Sequence, residues 1–260
     1  MKKKLASRLV GVEQDASHAR VAVEAELVDE VLTLNEAIST SDIIILCIPV
    51  DQVVTELPGI LDQVDRQIVM DVGSTKGNII EAVEQHPRRG RFVATHPMWG
   101  TEFSGPLSAR RDSFTGRAVI LCNENESDDD SVAWVRHMYE KIGMHILSME
   151  ARAHDLHAAY VSHISHITSF ALANTVLEKE KAEQAIFEMA SSGFESTVRL
   201  AKSHASMWVP IFLQNRKDIL DVLEEHLFQL QRFRDALIKG DGGQLQHLIE
   251  EANRIRRILK

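Results

Sequence analysis

A histidine with the chemistry of a general base ends an apolar run in FVATHPMWGTEFSGP (92–106). His96 could accept a proton near neutral pH, the following proline fixes the backbone, and Gly100 would let the chain turn away. A second apolar run leads into MDVGSTKG (70–77), where Ser74 could cap a helix or present its hydroxyl to a ligand. Ligands bind at the carboxyl ends of strands in parallel α/β sheets, so both side chains are expected on one rim. A histidine at a strand end is more often structural, but the neighbouring serine turn favours catalysis.

Four histidines are clustered in HDLHAAYVSHISHITSF (154–170), as in some metal sites. At about 100° per residue of α-helix, however, they point in different directions and could not surround one ion from this helix alone. The same geometry places Asp155, Ser162 and His166 on one polar stripe of an otherwise apolar helix. Such a stripe is either a satisfied buried network or the wall of a ligand site.

An arginine follows in SSGFESTVRLAKSHASMW (191–208). The planar guanidinium of Arg199 could bind a carboxylate through two parallel hydrogen bonds, with Thr197 and Ser203 nearby. The commoner role of a single arginine is an exposed ion pair with a surface glutamate. The segment by itself leaves both roles open.

Short apolar runs alternate with amphipathic stretches over residues 1–150. Continuous Val, Ile and Leu runs are typical of strands covered on both faces, and strand–helix alternation predicts a parallel sheet with helices on both sides. The predicted strands are 8–13, 42–48, 67–72, 91–95, 117–122 and 144–149. The predicted helices between them are 16–25, 50–64, 76–85 and 128–142.

Helical periodicity without a strand pattern begins at residue 151. The predicted helices are 151–181, 183–191, 194–203 and 206–239, and GDGG (240–243) breaks the chain before a last helix that ends at 259. We therefore expect two domains, an α/β domain over 1–150 and an all-helical domain over 151–260. Because apolar helix faces that outnumber their local partners often associate, a homodimer through the helical domain is expected.

Composition limits the classes of function. The 260 residues carry a formal net charge of -9, whereas a general nucleic-acid binder is expected to be basic. No run reaches the roughly 18 apolar residues that a membrane span needs, and the basic start lacks the apolar region of a secretory signal. Cys47 and Cys122 each lie in a predicted buried strand, so we interpret them as reduced core thiols of a cytoplasmic protein.

The dinucleotide-binding fingerprint G-x-G-x-x-G does not occur in the 260 residues. The segment RLVGVEQD (8–15) nevertheless looks like the second strand of such a fold, with Glu13 where an acidic residue would bind the adenosine ribose. The preceding KKKLAS (2–7) would then be the last turn of the first helix. On this pattern the sequence begins one strand, one loop and most of one helix too late. The absent strand is expected mid-sheet, between 8–13 and 91–95 or its equivalent. Glu13 as an ordinary surface acid is an equally acceptable interpretation.

The order and spacing of four motifs resemble those of the prephenate dehydrogenase family, the NAD(P)-linked dehydrogenases of tyrosine biosynthesis: DVGSTKG, HPMWGTEFSGP, HDLHAAYVSHISH and GFESTVRLAKSHASMW. The resemblance extends from about residue 8 to the end of the chain, and it implies a Rossmann-type domain followed by a helical dimerisation domain. It also implies a cofactor site with Glu13, Pro49 and Ser74. The cofactor would be NAD, because Glu13 would repel the 2′-phosphate of NADP.

The resemblance further implies roles in the oxidative decarboxylation of prephenate to 4-hydroxyphenylpyruvate. His96 would be the catalytic base that takes the proton of the ring hydroxyl, and Ser74 would bind that hydroxyl and orient His96. The substrate-binding residues would be Glu102, Ser162, His166, Arg199 and Trp208. No metal is implied. Two alternatives stay open: an arogenate dehydrogenase with the same motifs, and a non-catalytic dimer that binds aromatic ligands and has lost its cofactor site.

Overall fold

The computed structural model describes residues 5–110, 113–181 and 186–258. An α/β part comes first, and the described residues after the last strand are helical or irregular. This order agrees with the predicted fold class. The predicted helical turn at 2–7 lies largely outside the described residues, as do part of the predicted helix 183–191 and residue 259.

Seven strands are described: β1 Val10–Gly11, β2 Glu30–Val31, β3 Ile43–Leu46, β4 Ile68–Asp71, β5 Phe92–Pro97, β6 Ala118–Cys122 and β7 His145–Met149. Strands β1 and β2 form a parallel two-stranded sheet, and the other five form one sheet in the order β3-β4-β5-β6-β7. Strand β4 is buried along its whole length, as expected for a continuous apolar strand with helices on both faces.

The pairing of β5 with β6 departs from the predicted parallel arrangement. These two strands are antiparallel, with His96 opposite Ile120 and Pro97 opposite Val119, whereas β6 and β7 are again parallel. The antiparallel pairing extends β5 through Pro97, so His96 lies inside the strand instead of following it. In the loop after β5, the left-handed backbone conformation occurs at Gly105 (φ 81°) and not at Gly100, which was predicted to turn the chain.

The helices between the strands are α1 Ala16–Glu24, α2 Leu34–Thr40, α3 Val50–Gln63, α4 Gly77–Glu81 and α5 Asp129–Ile142. Helix α2 and strand β2 lie outside the predicted elements. Thr33 and Glu36 form a capping box at the start of α2, so the T-x-x-E pattern was a usable signal for this helix. Helix α4 is shorter than the predicted 76–85, because turns replace its last residues.

Strand β3 forms one edge of the five-stranded sheet, while β1 belongs to the other sheet. Apolar side chains at these two edges are exposed: Ile45 by 42%, Ile48 by 36%, Leu9 by 39% and Val12 by 47%. Strand β5 has a neighbouring strand on each side, so the position predicted for the absent strand, next to 91–95, is wrong. In the Rossmann strand order, one further strand separates the counterparts of β1 and β3.

The two cysteines are free, and only one of them is a core thiol. Cys122 at the end of β6 is fully buried, and burial raises the pKa of its thiol to about 12. Cys47 follows β3 at the edge of the sheet and is exposed, so the prediction of a buried position for Cys47 is wrong.

Two apolar clusters cover the faces of the five-stranded sheet. One contains residues of α3, including Val53 and Leu57, and the other contains Val135 of α5. Trp208 and Ile211 from the helical part belong to the first cluster. The helical part therefore shares a hydrophobic core with the sheet, which fixes the side chains of both parts at their junction.

The helices after the last strand are α6 Ala151–Ala158, α7 Ile164–Glu180, α8 Ser192–Val198, α9 Ala205–Gln214, α10 Arg216–Lys239 and α11 Gly242–Asn253. A π-helical turn, Ala159–His163, connects α6 to α7 inside the predicted helix 151–181. The predicted helix 206–239 is two helices, because the backbone leaves the helical conformation at Asn215.

The predicted break at 240–243 is confirmed. Gly240 has a left-handed φ of 64° at the end of α10, and the Asp241 side chain accepts a hydrogen bond at the start of α11. None of the helices in the described ranges is both long and apolar enough to cross a membrane.

Candidate active site

His96 occupies the fifth position of β5 and is 8% exposed. The strand register pairs Asp71 of β4 with Ala94 of β5, so the turn that carries Gly73 and Ser74 runs beside His96 at the same end of the sheet. The two residues predicted to act on the substrate hydroxyl therefore share one rim, as the sequence indicates.

Three side chains form a line inward from His96. His96 Nδ1 lies 2.8 Å from His154 Nε2, and His154 Nδ1 lies 2.8 Å from a carboxylate oxygen of Asp155. His154 is 2% exposed and Asp155 is 8% exposed, so these contacts are formed away from water, where they are strongest. The partner of His96 in the structure is thus His154, a residue to which the sequence motifs assign no role. No hydrogen bond joins Ser74 to His96 in the described part of the chain.

The Asp155 carboxylate also binds the start of α4. It accepts 2.8 Å hydrogen bonds from the backbone N–H groups of Lys76 and Gly77. No side chain of the preceding turn caps α4, so the alternative that Ser74 caps this helix is wrong. Burial alone would raise the pKa of Asp155, but hydrogen bonds from His154 and the Gly77 N–H outweigh burial and lower it. Because Asp155 satisfies the helix donors, the Ser74 hydroxyl is left available for a ligand.

A buried ion pair supports the same turn. Lys76 is 0% exposed, its ammonium contacts the Asp71 carboxylate, and it donates a 2.8 Å hydrogen bond to the Thr95 carbonyl oxygen. Asp71 in turn accepts hydrogen bonds from the N–H groups of Gly73 (2.8 Å) and Thr95 (3.2 Å). The pair therefore ties the turn that carries Ser74 to strand β5. Sequence reasoning misses it because lysine is almost never fully buried unless it is paired.

The surroundings of His96 favour its neutral imidazole. Burial lowers the pKa of His96 well below its ordinary value, and the neighbouring His154, Lys76 and His163 lower it further. A neutral imidazole has one ring nitrogen free to accept a hydrogen bond or a proton. This is the protonation state that the role predicted for His96 requires.

The π-helical turn between α6 and α7 changes which side chains share a face. A π-turn has more residues per turn than an α-helix, so Asp155 is separated from the predicted stripe, while Ser162 and His166 stay adjacent. Asp155 contacts α4, whereas His166 Nδ1 lies 3.1 Å from the Ser162 carbonyl oxygen. His163, in the turn itself, is 1% exposed, and its Nδ1 accepts a 3.1 Å hydrogen bond from Asn215. No group of three or more His, Cys, Asp or Glu side chains in the described residues is arranged so that it could hold a metal ion.

His166 stacks on Trp208, with ring centroids 3.5 Å apart and an angle of 27° between the planes. Trp208 is 6% exposed and packs against Phe212 at the junction of the two parts. Burial lowers the pKa of His166, the hydrogen bond to Ser162 opposes this shift, and the charge of Arg199 adds to it. The structure thus brings together four residues predicted to bind substrate.

Arg199 forms an ion pair with Glu102, with Arg199 Nη1 3.0 Å from Glu102 Oε2. Glu102 follows β5, and Arg199 begins the 3-10 turn Arg199–Lys202 of the helical part, so the pair joins the two parts of the chain. The Arg199 side chain is 52% exposed and that of Glu102 is 14% exposed. A hydrogen bond from its own backbone N–H lowers the pKa of Glu102, and Arg199 lowers it further. The exposed guanidinium can exchange Glu102 for another carboxylate, so both predicted roles of Arg199 are compatible with its position.

The residues predicted to bind the cofactor follow strands β1, β3 and β4. The Glu13 side chain is 40% exposed, and it accepts a 2.9 Å hydrogen bond from the N–H of Asp15. Pro49 precedes α3 and is exposed, and Ser74 is half-buried. All three lie at the carboxyl ends of parallel strands, where nucleotides bind in such folds. The 260 residues contain no G-x-G-x-x-G turn for the pyrophosphate of a dinucleotide.

Two family models match the chain. The model of the prephenate dehydrogenase nucleotide-binding domain matches residues 1–148, and that of the prephenate dehydrogenase dimerization domain matches residues 150–251. A cyclohexadienyl dehydrogenase of Zymomonas mobilis is 27% identical over 87% of this chain and 78% of the relative. A prephenate dehydrogenase of Bacillus subtilis is 25% identical over 96% of this chain and 68% of the relative.

Solved structures show the same architecture. The crystal structure of prephenate dehydrogenase from Aquifex aeolicus has a TM-score of 0.87 at 25% identity and covers 97% of this chain and 90% of its own. The Synechocystis arogenate dehydrogenase has a TM-score of 0.76 at 25% identity and covers 97% of this chain and 91% of its own. Both likenesses extend over the α/β and the helical part, and the two family models match the same two parts in the same order. The chain therefore belongs to the prephenate dehydrogenase family, with a Rossmann-type domain followed by a helical domain.

Proposed function

We propose that the protein catalyses the oxidative decarboxylation of prephenate to 4-hydroxyphenylpyruvate in tyrosine biosynthesis, with NAD as the hydride acceptor. The observation that carries the proposal is the buried His96, whose Nδ1 is bound by His154 on the rim that also carries Ser74. The dehydrogenase names of the relatives support the class of reaction. The domain limits 1–150 and 151–260 are part of the same proposal.

His96 is the proton acceptor in this mechanism. With Nδ1 engaged by His154, Nε2 is the nitrogen that receives the proton of the ring hydroxyl, and Ser74 orients that hydroxyl. The chemistry that bound NAD supplies is acceptance of the hydride from the carbon that bears the hydroxyl. As that carbon becomes a carbonyl, the bond to the ring carboxylate breaks and carbon dioxide leaves. The electron pair of the broken bond enters the ring, which becomes aromatic, and the ring oxygen takes up a proton.

Arg199 binds a substrate carboxylate in place of Glu102. An exposed ion pair contributes only about 0–1 kcal/mol, so a ligand that forms two charged hydrogen bonds can displace Glu102 at little cost. The stacked rings of His166 and Trp208 and the half-buried Ser162 form the adjoining wall. Substrate binding at this junction would hold the two parts of the chain together.

Glu13 makes NAD the preferred cofactor, because its exposed carboxylate would repel a 2′-phosphate. Since the chain has no G-x-G-x-x-G turn, we expect weak NAD binding by the 260 residues alone. A version with an apolar strand and a Gly-rich turn fused before Met1 should bind NAD more tightly. Calorimetric titration of both versions with NAD and NADP tests this expectation. Equal affinities of the extended version for the two cofactors would remove the role given to Glu13.

Steady-state kinetics of the extended version with prephenate and with arogenate tests the substrate. We expect the higher kcat/KM with prephenate, followed by NADH absorbance and by the aromatic product. The reverse preference would establish the arogenate alternative, which the likeness to the Synechocystis enzyme favours. Prephenate binding without turnover by a version that binds NAD would instead favour the non-catalytic dimer.

A homodimer through the helical domain is part of the proposal. Helix α10 exposes Leu227, Phe228 and Leu230 by 49–55%, and the model that matches this part is described as a dimerization domain. Light scattering after size exclusion should give twice the mass of one chain, and a monomer would contradict the proposal. The cytoplasmic location and the absence of nucleic-acid and membrane partners stay predictions from the sequence.

A further inference from the structure

We propose that His154 and Asp155 are positioning residues that fix the tautomer of His96, so that Nε2 of His96 is the atom that accepts the proton. The importance of this tautomer for turnover rests on the proposed function. The tautomer itself is a property of the chain without substrate or cofactor, so the two ideas can fail separately. The inference starts from the two 2.8 Å contacts that join His96 to His154 and His154 to Asp155.

Asp155 sets the direction of the hydrogen bonds in this line. Its carboxylate accepts hydrogen bonds from the backbone N–H groups of Lys76 and Gly77, and these donors stabilise its ionised form. An ionised carboxylate only accepts hydrogen bonds. His154 Nδ1, which faces Asp155, must therefore carry a hydrogen.

The direction then passes from His154 to His96. A neutral His154 with its hydrogen on Nδ1 has a lone pair on Nε2, and this lone pair faces His96 Nδ1. His96 Nδ1 must therefore be the donor, and the lone pair of His96 lies on Nε2. The described residues provide no hydrogen-bond partner for that atom, which leaves it free for the substrate hydroxyl.

A doubly protonated His154 would reverse the line and place the hydrogen of His96 on Nε2. Burial disfavours that state, because His154 is 2% exposed and a charge on its ring would be formed with little hydration. His163, a further titratable neighbour of His96, accepts a hydrogen bond from Asn215. The Asp71 carboxylate is already paired with Lys76. The carboxylate coupled to His96 is therefore that of Asp155, and the coupling runs through His154.

The same line would stabilise His96 after it has taken the proton. The imidazolium would still donate from Nδ1 to His154, and the Asp155 charge lies one ring further in. Without His154, the His96 ring could turn or change tautomer, and a fraction of the molecules would present N–H instead of a lone pair to the substrate. Turnover would fall, while contacts of the rest of the substrate would be unaffected.

Nitrogen-15 NMR of the histidine-labelled 260-residue chain tests the tautomer directly. Near neutral pH we expect His96 to carry its hydrogen on Nδ1 and to have an unprotonated Nε2, with the signal assigned by its loss in His96→Asn. A hydrogen on Nε2 of His96 in the wild-type chain would overturn the proposal, whatever the substrate. This measurement needs no variant of His154, so it remains decisive if such variants fail to fold.

Variants of His154 test the consequence. His154→Leu removes both ring nitrogens at similar volume, and in the extended version it should lower kcat by about 10- to 100-fold with a smaller change in KM. It should also release His96 from the Nδ1–H tautomer in the NMR spectrum. His154→Gln can accept from His96 and donate to Asp155, so it should recover part of both.

His157→Gln is the matched control, since His157 is an exposed histidine on the same helix. It should change neither the spectrum of His96 nor kcat. A folded His154→Leu with unchanged kcat and an unchanged His96 signal would overturn the proposal. Correct tautomers together with no turnover of prephenate or arogenate would count against the proposed function, and not against the positioning role.

Discussion

Two regions of the site differ in how their polar groups are satisfied. The inner network consists of His96, His154, Asp155, His163 and Asn215, and the outer pair consists of Arg199 and Glu102. Every member of the inner network is at most 8% exposed, whereas the Arg199 side chain is 52% exposed. Inner contacts cannot be exchanged for water, but the outer contact can. The proposed proton acceptor is therefore preorganised, while the proposed carboxylate-binding group is adjustable.

Because the two regions differ in burial, a substitution should cost more free energy of unfolding in the inner network than in the outer pair. A buried donor or acceptor left without a partner costs about 1–3 kcal/mol, while an exposed ion pair is worth about 0–1 kcal/mol. Substitutions in the inner network should therefore alter both folding and turnover. Substitutions in the outer pair should alter ligand binding with little effect on folding.

His96→Asn should have the largest effect on turnover. Removal of a general base costs about 10²- to 10⁴-fold in rate, and the half-buried Ser74 is too weak a base to replace it. Prephenate affinity should change little, because the substrate carboxylates are bound elsewhere. Single-turnover kinetics and calorimetry on the extended version measure the two quantities. Near-wild-type turnover in this variant would remove His96 from the mechanism.

His163 should make the inner network sensitive to acid. Burial lowers the pKa of His163 from 6.5 to about 4, against the opposing charge of Asp155. Because the folded-state pKa lies below the unfolded value, the unfolded chain binds the proton first. The stabilisation is complete above pH 6.5 and is lost as the pH falls toward 4, by up to about 3 kcal/mol.

Urea denaturation at a series of pH values checks this window. His163→Gln should be less stable near neutral pH and should lose less stability on acidification, while the exposed His157→Gln should keep the wild-type slope. If His163→Gln kept the wild-type slope, the acid sensitivity would belong to other groups.

Arg199→Ala should separate the outer pair from the inner network. Loss of a charged hydrogen bond to a substrate carboxylate is worth roughly 1.5–3 kcal/mol, or about 10- to 150-fold in KM, with a smaller change in kcat. Arg199→Lys should recover only part, since an ammonium does not form the planar pair of hydrogen bonds. Lys202→Ala, in the same 3-10 turn with a 56% exposed side chain, is the control. An unchanged KM in Arg199→Ala would refute the carboxylate-binding role.

The linear sequence predicts the outer parts of this site better than its interior. His96 and Ser74 follow from strand-end positions, and the helical domain follows from its periodicity. The partner of His96 is 58 residues away, in a helix whose phase changes at a π-turn that periodicity does not reveal. Lys76 is missed because only the buried Asp71 makes its position possible. Pairing of buried polar groups decided these features, across 58 residues for His96 and His154 and across five for Lys76 and Asp71, and periodicity does not reveal either pair.

The two-stranded sheet shows a different limit of sequence reasoning. Strand β2 has only two residues, Glu30–Val31, which is too short for an alternating or continuous apolar pattern to be recognised. Exposure at the edge of β3 was also unexpected, because the apolar run 42–48 is typical of a strand covered on both sides. Burial depends on neighbours in the sheet, which a run of apolar residues does not specify.

The smallest contrast concerns two glycines near His96, and it tests how rigid the inner region is. A Cβ atom on Gly73 would lie 2.9 Å from Asp71 Oδ2 and 3.0 Å from Val50 Cγ1, and Asp71 cannot move because it is paired with the buried Lys76. A Cβ atom on Gly100 would meet nothing within 4 Å, and its φ is outside the left-handed region. Gly73→Ala should therefore cost about 1–3 kcal/mol by overpacking, and Gly100→Ala should stay within about 0.5 kcal/mol of wild type. Urea denaturation of the two variants measures the difference. Equal stabilities of the two variants would mean that the turn between β4 and α4, which carries Ser74, can adjust to a larger side chain. The distinction between a rigid inner region and an adjustable outer pair would then not hold at this turn.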